Sequence, residues 1–416
     1  MITGYSAPTI RAAEASLPEL LESGELMQRA ARGIARVTAG RMRERGARTV
    51  TALVGPGNNG ADALYAIARL AKRGFEASAV CIDTTASQVQ TEAAELARQR
   101  GATVLAADSR EALTAISRAE VVLDGITGIG GRPGLPPFAR PWVDAIRDRA
   151  WVISVDTPSG QPVEGGDALA DAVFADETVT FGAPKPVHLL PPTEAACGVL
   201  TVIDIGLDLT EATPAVVRIT PDDVPLLWPV PGPDDDKYSR GVLGVVAGGE
   251  QYTGAAVLTT TAAVTAGVGM VRYVGTPTPT ALVRAAVPEA VHGEGRVQAW
   301  VVGPGLGTDE SAEQTLRFAL GTDLPVIVDA DALTLLARAP QLVADRGAPT
   351  VLTPHAGEFT RLAGHEVGAD RIGAARGLAE KLGVTVLLKG NVTVIADPGS
   401  NTVYLNPAGQ SWAATA

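Results

Sequence analysis

Short runs of apolar residues alternate with helical patterns along most of the chain. In the first half, these runs predict buried strands at 50–54, 77–82, 102–105, 121–123, 152–155, 179–181 and 199–205. A second series predicts strands at 242–246, 271–274, 299–302, 326–328, 350–352, 384–388 and 392–395. Near-continuous apolar strands that alternate with helices indicate parallel sheets covered by helices on both faces. The pattern therefore predicts an α/β protein.

Two segments stand outside this alternation. Residues 12–46 carry apolar side chains at helical spacing and predict a helical stretch ahead of the first strand. Residues 213–237 are crowded with proline and end in an aspartate run, which is typical of a domain boundary. The chain of 416 residues is also too long for one ordinary domain. We expect domains at 1–212 and 238–416, joined by a linker at 213–237.

A glycine-rich turn, GPGNNGAD at 55–62, follows the first of these strands and precedes a helical pattern. This arrangement brings backbone N–H groups to an anionic ligand, and its three glycines match the dinucleotide fingerprint of NAD dehydrogenases. Asp62 argues against that interpretation, because its carboxylate in the first helical turn would repel a pyrophosphate. Asn58 and Asn59 indicate a loop that holds a polar ligand, such as a cation or ribose and amide groups, with its side chains. An ordinary turn with an aspartate cap remains an alternative.

Other polar residues also follow predicted strands, where ligands of open parallel sheets bind. Asp124 precedes the glycine loop 125–131, and Asp156 precedes the turn 157–160. A carboxylate in such a place can have a raised pKa and act as an acid or base, although either aspartate could simply cap the next element. Together with the paired asparagines, they favour a site, and their oxygen atoms suit a hard cation.

The second half offers a similar series of polar turns. They lie at 248–256, 303–307, 329–331, 353–358 and 389–393. His355 indicates a ligand contact, although a single histidine is often structural. Lys389 could carry a nucleotide phosphate or lie at a solvated hairpin end. Lysine is rare in this chain, so where one persists, as at Lys185 and Lys389, a compact point charge can be required that arginine does not replace.

Composition narrows the class of protein. The net charge of −12 argues against a nucleic-acid partner. The two cysteines, Cys81 and Cys197, provide neither a disulfide framework nor a metal quartet. The N-terminus lacks the features of a signal peptide, and no apolar run is long enough to span a membrane. We expect a cytoplasmic protein without a membrane or nucleic-acid partner, and we expect a homo-oligomer.

The motifs together carry a family resemblance. Those at 55–62, 124–131, 155–160 and 180–186 resemble the NAD(P)H-hydrate epimerase domain. Those at 252–256, 303–307, 329–333, 353–359 and 389–390 resemble the ADP-dependent NAD(P)H-hydrate dehydratase domain. The chain thus resembles the fused bifunctional nicotinamide-nucleotide repair enzymes. This resemblance implies an N-terminal Rossmann-like three-layer domain and a C-terminal ribokinase-like α/β domain.

The implied activity is metabolite repair. An epimerase would interconvert the R and S hydrates of NADH and NADPH, with K⁺ bound in its domain. A dehydratase would phosphorylate the hydroxyl of the S hydrate with ADP and Mg²⁺ and then eliminate phosphate, which restores the cofactor and leaves AMP. The alternative is a ribokinase-like small-molecule kinase fused to a non-catalytic Rossmann-like binding module.

The matching motifs also imply site residues. K⁺ would be held by Asn59, Asp124 and Ser159. The hydrate in the first site would contact Asn58, Asn59, Gly60, Ala61, Asp62, Gly128, Ile129, Gly130, Gly131, Arg132, Pro133, Gly134 and Asp156, with Asp156 as the catalytic acid–base group. In the second site, Ala255, Gly305 and His355 would contact the hydrate. The nucleotide would be bound by Lys389, Gly390, Asn391, Val392 and Thr393.

The sequence departs from the family pattern in two places. Ala61 and Ala63 stand where the family has glycine. The family also continues beyond a segment like 413–416 with Gly-Ser-Gly-Asp and a helix, whereas this sequence ends at Ala416. In the family that turn would neutralise the transferred phosphate, and its carboxylate would deprotonate the attacking hydroxyl. We therefore expect one of two outcomes: a dehydratase domain that is incomplete at its C-terminus and does not complete dehydration, or a natural chain that continues beyond Ala416.

Overall fold

The computed structural model describes residues 1–83, 87–166, 168–190, 192–344 and 346–407. The chain divides into two compact units, Ile2–Arg218 and Ile219–Ala416, with Met1 grouped with the latter. We call them the first and the second unit. Among the described residues, no helix combines the length and the apolar character that crossing a bilayer requires.

The first unit alternates strands with helices. Its strands are β1 (Ile2–Gly4), β2 (Thr49–Val54), β3 (Glu76–Cys81), β4 (Thr103–Ala106), β5 (Val121–Gly125), β6 (Trp151–Val155), β7 (Glu177–Phe181), β8 (Val199–Ile203) and β9 (Val216–Arg218). Its helices are α1 (Ala7–Ala15), α2 (Pro18–Glu22), α3 (Glu25–Arg45), α4 (Asn58–Lys72), α5 (Gln88–Gln99), α6 (Arg110–Arg118), α7 (Arg140–Asp144), α8 (Pro186–Leu189) and α9 (Thr193–Cys197).

A parallel sheet of order β4-β3-β2-β5-β6-β7-β8 forms the centre of the first unit. Successive residues of β2 point to opposite faces. Ala52 and Val54 join the core packed beneath α3, α4 and α5, whereas Leu53 joins the core beneath α6 and α7. Helices thus cover both faces, which confirms the predicted three-layer Rossmann-like fold. The strand order reverses between β2 and β5, and in such sheets the ligand crevice lies at this reversal.

The helical stretch predicted at 12–46 is three helices rather than one. Pro18 occupies the first turn of α2, where its missing N–H costs nothing and its ring prevents continuation from α1. Gly24, with φ of 70°, separates α2 from α3 in the left-handed conformation that glycine adopts without strain. The helical spacing of apolar residues identified the buried face of this stretch. The breaks at Pro18 and Gly24 divide it into three separate helices.

The second unit contains the remaining elements. Its strands are β10 (Val242–Val246), β11 (Met270–Tyr273), β12 (Val291–His292), β13 (Ala299–Val302), β14 (Val326–Val328), β15 (Thr350–Leu352), β16 (Thr385–Leu388), β17 (Thr393–Ala396) and β18 (Val403–Asn406). A short 3₁₀ helix spans Pro221–Asp223. The α-helices are α10 (Val224–Leu227), α11 (Thr253–Thr265), α12 (Pro277–Ala286), α13 (Glu310–Leu320), α14 (Asp331–Leu336), α15 (Gln341–Ala344), α16 (Ala356–Ala363) and α17 (Arg371–Leu382).

The sheet of the second unit is mixed. Its strands run parallel in the order β16-β15-β14-β13-β10-β11-β12, but β17 pairs antiparallel with β16, and β18 pairs antiparallel with β17. The two antiparallel strands β17 and β18 thus extend a sheet whose other named strands are parallel. The connection 389–392 is a tight turn, and a parallel partner would need a crossover of a dozen or more residues.

An ion pair between the partly exposed Arg41 and the buried Glu177 joins α3 to the sheet of the first unit. Arg41 Nε donates to Glu177 Oε2 at 2.6 Å, and the Glu177 side chain is only 1% exposed. We expect Arg41→Ala to lower the free energy of unfolding by about 3 kcal/mol, because it leaves a buried carboxylate without its cation. Urea denaturation of this variant measures the loss. Arg43→Ala, an exposed position on the same helix, is the control, and equal losses in both variants would contradict the assignment.

Candidate active sites

A cavity of about 420 Å³ opens at the sheet reversal of the first unit. It lies where α1, the turn after β2, the loop after β5 and the end of β6 meet. The residues that line it are Arg11, Glu14, Pro56, Gly57, Asn58, Asn59, Asp62, Ile126, Thr127, Gly128, Ile129, Gly130, Gly131, Asp156 and Phe181. We call it the first-unit cavity. It unites most of the residues that the motifs assigned to the hydrate.

Five of the assigned residues do not line this cavity within the described part of the chain. Gly60 and Ala61 lie buried in α4, and a Cβ on Gly60 would come within 2.2 Å of the Gly55 carbonyl oxygen. Arg132 and Pro133 are exposed. The fifth is Gly134, whose N–H is bonded to the backbone of the turn after β6. These residues shape the loops around the cavity rather than its wall.

Asp156 occupies an unusual backbone position at the end of β6. Its φ of 67° is left-handed, which is uncommon for a non-glycine residue and is associated with functional sites. Its Oδ1 accepts from Lys185 Nζ at 2.7 Å and from Thr180 Oγ1 at 2.9 Å, and its Oδ2 accepts from Ile129 N at 3.2 Å. Burial raises the pKa of Asp156, but the charge and the hydrogen bond of the Lys185 ammonium lower it by more. The net pKa is therefore below the ordinary aspartate value, and Asp156 is ionised.

Lys185 and His188 are positioning residues that the motif assignment did not include. Lys185 is 1% exposed and also donates to the Phe181 carbonyl at 3.1 Å. Burial, assisted by the charge of Lys185, lowers the pKa of His188 to about 3, so its ring is neutral. Its Nδ1 accepts from Lys185 N at 3.0 Å, which leaves Nε2–H to donate to the Asp156 carbonyl at 2.9 Å. The rarity of lysine was the sequence signal that singled out Lys185.

Asp62 faces the same cavity, and its pKa is shifted in the opposite direction from that of Asp156. It is 9% exposed, and its Oδ1 is buried without a hydrogen-bond partner among the described residues. Burial, with the negative charges of Asp156 and Glu14 nearby, raises its pKa well above the usual range. The pKa of Glu14 is raised as well, by burial and by Asp156. The cavity thus brings together a carboxyl group with a raised pKa and one with a lowered pKa, which is the pairing that separates acid from base.

The three residues assigned to K⁺ converge beside this cavity. Asp124 is fully buried, its Oδ1 accepts from Ser159 Oγ at 2.5 Å, and its Oδ2 accepts from Ser154 Oγ at 2.8 Å. Thr127 joins the set, because its N–H donates to Ser159 Oγ at 2.9 Å and its carbonyl accepts from Asn59 Nδ2 at 3.0 Å. Burial raises the pKa of Asp124 despite the opposing hydrogen bonds from Ser159 and Ser154. A buried carboxylate without a basic partner among the described residues, surrounded by neutral oxygen atoms, suits a monovalent cation.

The assigned residues of the second unit fall into two groups. Gly305 lines a cavity of about 570 Å³ together with the loop 248–252. It has φ of 63°, and a Cβ there would lie 2.7 Å from the Cβ of Ala255, so these two residues are neighbours and Gly305 must be glycine. His355 and Lys389 form the other group. They follow β15 and β16, at the same carboxyl edge of the sheet.

The second group is built around carboxylates. Lys389 Nζ donates to Asp329 Oδ1 at 2.7 Å and lies 3.8 Å from Glu358 Oε2. Glu358 accepts from the backbone N–H of His355 at 2.9 Å, and His355 Nδ1 accepts from Gly357 N, which caps α16. Ala330, beside Asp329, is the second described non-glycine residue with positive φ, at 51°. Backbone strain therefore accompanies the site carboxylate in both units.

The nucleotide assignment falls on the turn between β16 and β17. Gly390 and Asn391 lie in the turn, Val392 is buried and Thr393 begins β17. Arg371, which the motifs did not include, donates to the Lys389 carbonyl at 3.1 Å, and its guanidinium would lie 2.5 Å from a Cβ on Gly390. A second cation thus lies beside the turn. The expected loss of dehydration concerns residues 413–416 and beyond, which lie outside the described residues.

Comparisons with known proteins cover both units. A family model described as YjeF-related protein N-terminus matches residues 23–187, and one described as NAD(P)H-hydrate dehydratase matches residues 243–416. The chain is 52% identical over 425 residues to the bifunctional NAD(P)H-hydrate repair enzyme Nnr of Mycobacterium tuberculosis (strain CDC 1551 / Oshkosh). It is 50% identical over 426 residues to the corresponding enzyme of Mycobacterium leprae (strain TN). Each alignment covers 99% of this chain and 85% of the relative.

Among solved structures, the chain is similar to the ADP/ATP-dependent NAD(P)H-hydrate dehydratase from Bacillus subtilis co-crystallised with ATP and Mg²⁺. The identity is 32% and the TM-score is 0.40. The match covers 44% of this chain and 69% of that protein.

Proposed function

This chain belongs to the family of bifunctional NAD(P)H-hydrate repair enzymes, and from that premise we propose how its two units divide the work. The first unit interconverts the R and S hydrates of NADH and NADPH. The second unit dehydrates the S hydrate at the expense of ADP, giving NAD(P)H, AMP and phosphate. The observation that carries the first assignment is the pair of carboxyl groups in one cavity, Asp62 with a raised pKa and Asp156 with a lowered pKa.

The chemistry of a hydrate epimerisation needs these two protonation states. Hydration of an enamine places a hydroxyl on the carbon bonded to nitrogen. Asp62 donates its proton to that hydroxyl as the carbon–oxygen bond breaks, water leaves, and the nitrogen lone pair forms a planar iminium. Water then adds to the opposite face, and Asp156 takes the proton that this water releases. This turnover leaves Asp62 ionised and Asp156 protonated, and exchange of one proton with water at each group restores the starting state. In the reverse direction, Asp156 is the acid and Asp62 is the base.

The residues around Asp156 fix the orientation of its carboxylate for this step. Lys185 and Thr180 occupy Oδ1, so Oδ2, on the side of the loop after β5, is the atom that accepts the proton. The neutral ring of His188 fixes the strained backbone through the Asp156 carbonyl. Asn58 and Asn59 supply amide groups for the ribose and carboxamide of the hydrate.

In the second unit, we assign hydrate binding to Ala255, Gly305 and His355, and nucleotide binding to residues 389–393. Lys389 supplies positive charge for the phosphates of ADP, and Asp329 and Glu358 keep its ammonium at the strand end. Mg²⁺ would accompany the nucleotide and neutralise its phosphate charge.

An assay of hydrate isomers by chiral chromatography and mass spectrometry tests both assignments. Pure R hydrate should yield S hydrate without ADP, and adding ADP with Mg²⁺ should consume the S isomer and yield NADH and AMP. Absence of isomer exchange would contradict the first assignment, and absence of ADP-dependent loss would contradict the second. A phosphorylated product without isomer exchange would instead favour a small-molecule kinase joined to a binding module.

We further propose that Asn59, Asp124 and Ser159, with the Thr127 carbonyl, hold K⁺ beside the first-unit cavity. The ion would supply positive charge to the buried Asp124 carboxylate, which has no basic partner among the described residues. It would also hold the loop after β5, which carries Thr127, against the end of β6, which carries Ser159.

We expect K⁺ to stabilise the folded protein in a way that depends on Ser159. At ten times its dissociation constant, K⁺ in place of tetramethylammonium should raise the melting temperature by about 3 °C, from binding linkage. Differential scanning calorimetry measures the shift. It should vanish in Ser159→Ala and persist in Ser78→Ala, a hydroxyl elsewhere in the sheet. A shift of the same size in Ser159→Ala would remove this residue from the cation site.

The wider expectations are also proposals for this chain. We propose a cytoplasmic, homo-oligomeric protein. We also propose domains at 1–212 and 238–416 with a linker between them. The segment 213–237 contains β9, the 3₁₀ helix and α10. Limited proteolysis would test whether cleavage concentrates there.

A further inference from the structure

Four arginines line another cavity of the first unit, about 680 Å³ in volume. Arg29, Arg32 and Arg36 lie three and four residues apart on α3, so they share one helix face, and Arg73 follows α4. Ile203 and Asp204 complete the wall after β8. We call it the arginine cavity. None of these residues lines the first-unit cavity described above.

The guanidinium groups retain free donors. The guanidinium of Arg36 forms no hydrogen bond or ion pair with any residue that the structure describes, so its five N–H groups are available. Arg73 donates to the Ala35 carbonyl at 2.6 Å, and its remaining N–H groups are unpaired within the described ranges. Arg32 contacts Glu25 at 2.7 Å with its Nη2 and is 52% exposed. The wall therefore offers several guanidinium edges that the fold itself does not use.

Positive charge exceeds negative charge around the arginine cavity. Its acidic neighbours are Glu25, which contacts Arg29 and Arg32, and Asp204, whose Oδ1 accepts from Gly206 N at 2.7 Å. Arg69 adds a further cation close to this face. Burial and the charges of Arg32 and Arg73 lower the pKa of Arg69, which reflects the mutual repulsion of the group. This concentration of positive charge, in a chain whose net charge is −12, produces a local electric field that attracts anions.

The concave shape of the arginine cavity and its guanidinium N–H donors indicate which class of anion it binds. Arginine forks match phosphate oxygens in pairs, and several forks around one concave wall suit two or more linked phosphate groups. A nucleic acid would need an extended basic track, whereas these four arginines surround a single cavity. We propose that the arginine cavity binds a small diphosphate-containing anion, either inorganic pyrophosphate or the diphosphate of a nucleotide, at a site outside both catalytic assignments.

Calorimetric titration of the full chain with inorganic pyrophosphate, and separately with ADP, tests this proposal at low salt without Mg²⁺. The double substitution Arg36→Ala/Arg73→Ala should weaken pyrophosphate binding by about 10-fold or more, because it removes hydrogen bonds to a charged ligand. Arg43→Ala, an exposed arginine on the same helix, should leave binding unchanged. Raising the salt concentration should weaken binding of the wild type more than that of the double variant.

Lys389→Ala separates this site from the nucleotide site of the second unit. Pyrophosphate binding that survives Lys389→Ala but not the double substitution supports the arginine cavity. If ADP binding also survives Lys389→Ala and is lost in the double variant, the arginine cavity accepts nucleotides as well. If ADP binding does not follow this pattern, the ligand of the cavity is inorganic pyrophosphate. Undetectable binding at millimolar pyrophosphate, or binding lost only in Lys389→Ala, would overturn the proposal. An unchanged melting temperature and epimerisation rate in the double variant show that its fold is intact.

Discussion

Asp156→Asn should lower the rate of hydrate epimerisation by about 100-fold or more, the scale of a lost general base. The amide has the same shape but does not accept a proton at Oδ2 from the adding water. The measurement is the initial rate at which pure R hydrate yields S hydrate without ADP. A rate close to that of the wild type would show that Asp156 is not the base.

This variant needs a companion, because the substitution leaves the Lys185 ammonium buried without its carboxylate. Removing one partner of a buried pair destabilises the fold far more than replacing both. Asp156→Asn/Lys185→Met removes both charges and should restore the melting temperature toward the wild-type value. It should remain inactive. Activity that returned along with stability would mean that Asp156 acts through the fold alone.

Asp62→Asn should reduce epimerisation by about 100-fold or more and at the same time stabilise the protein near neutral pH. The loss of rate follows because the amide is not an acid and does not protonate the departing hydroxyl. The gain in stability follows because Asp62 has a raised pKa when folded and the ordinary aspartate pKa when unfolded. A group that only shapes the cavity would not combine these two effects.

The direction in which stability changes with pH follows from the raised pKa of Asp62. Below a pH of about 4, the pKa of an aspartate in the unfolded chain, Asp62 is protonated in both the folded and the unfolded state. The folded protein then has no energetic penalty from this group. As pH rises, only the unfolded chain ionises, so wild-type stability falls until pH passes the raised folded pKa. Urea denaturation from pH 4 to pH 8 should show this fall in the wild type and a shallower one in Asp62→Asn. Parallel curves for the two proteins would contradict a neutral Asp62.

The rate profile should have two limbs of different origin. Epimerisation should decline at low pH as Asp156 becomes protonated, and at high pH as Asp62 ionises. The residual rate of Asp62→Asn should lose the high-pH limb and keep the low-pH limb.

Several features were readable from particular stretches of sequence. The apolar runs located most of the strands of both sheets, because burial on both faces imposes a local pattern. The turn 55–62 and the aspartates after β5 and β6 indicated a site at one sheet edge, since parallel strands end together. The short strands β1, β9 and β12 and the antiparallel strand β18 were missed. Short strands of this kind carry too few residues to show a period, and their pairing depends on distant partners.

The sequence by itself determined that this protein is an α/β chain with polar residues gathered after its strands, and the order of its motifs indicated its family. Those properties depend on local spacing. Only the tertiary structure decided that the pKa of Asp62 is raised and that of Asp156 is lowered, and that Lys185 and His188 hold Asp156 in place. The reason is that a pKa depends on burial and on charges nearby in space. Asp62, Asp156 and Lys185 lie on separate elements, and their meeting is a property of the fold.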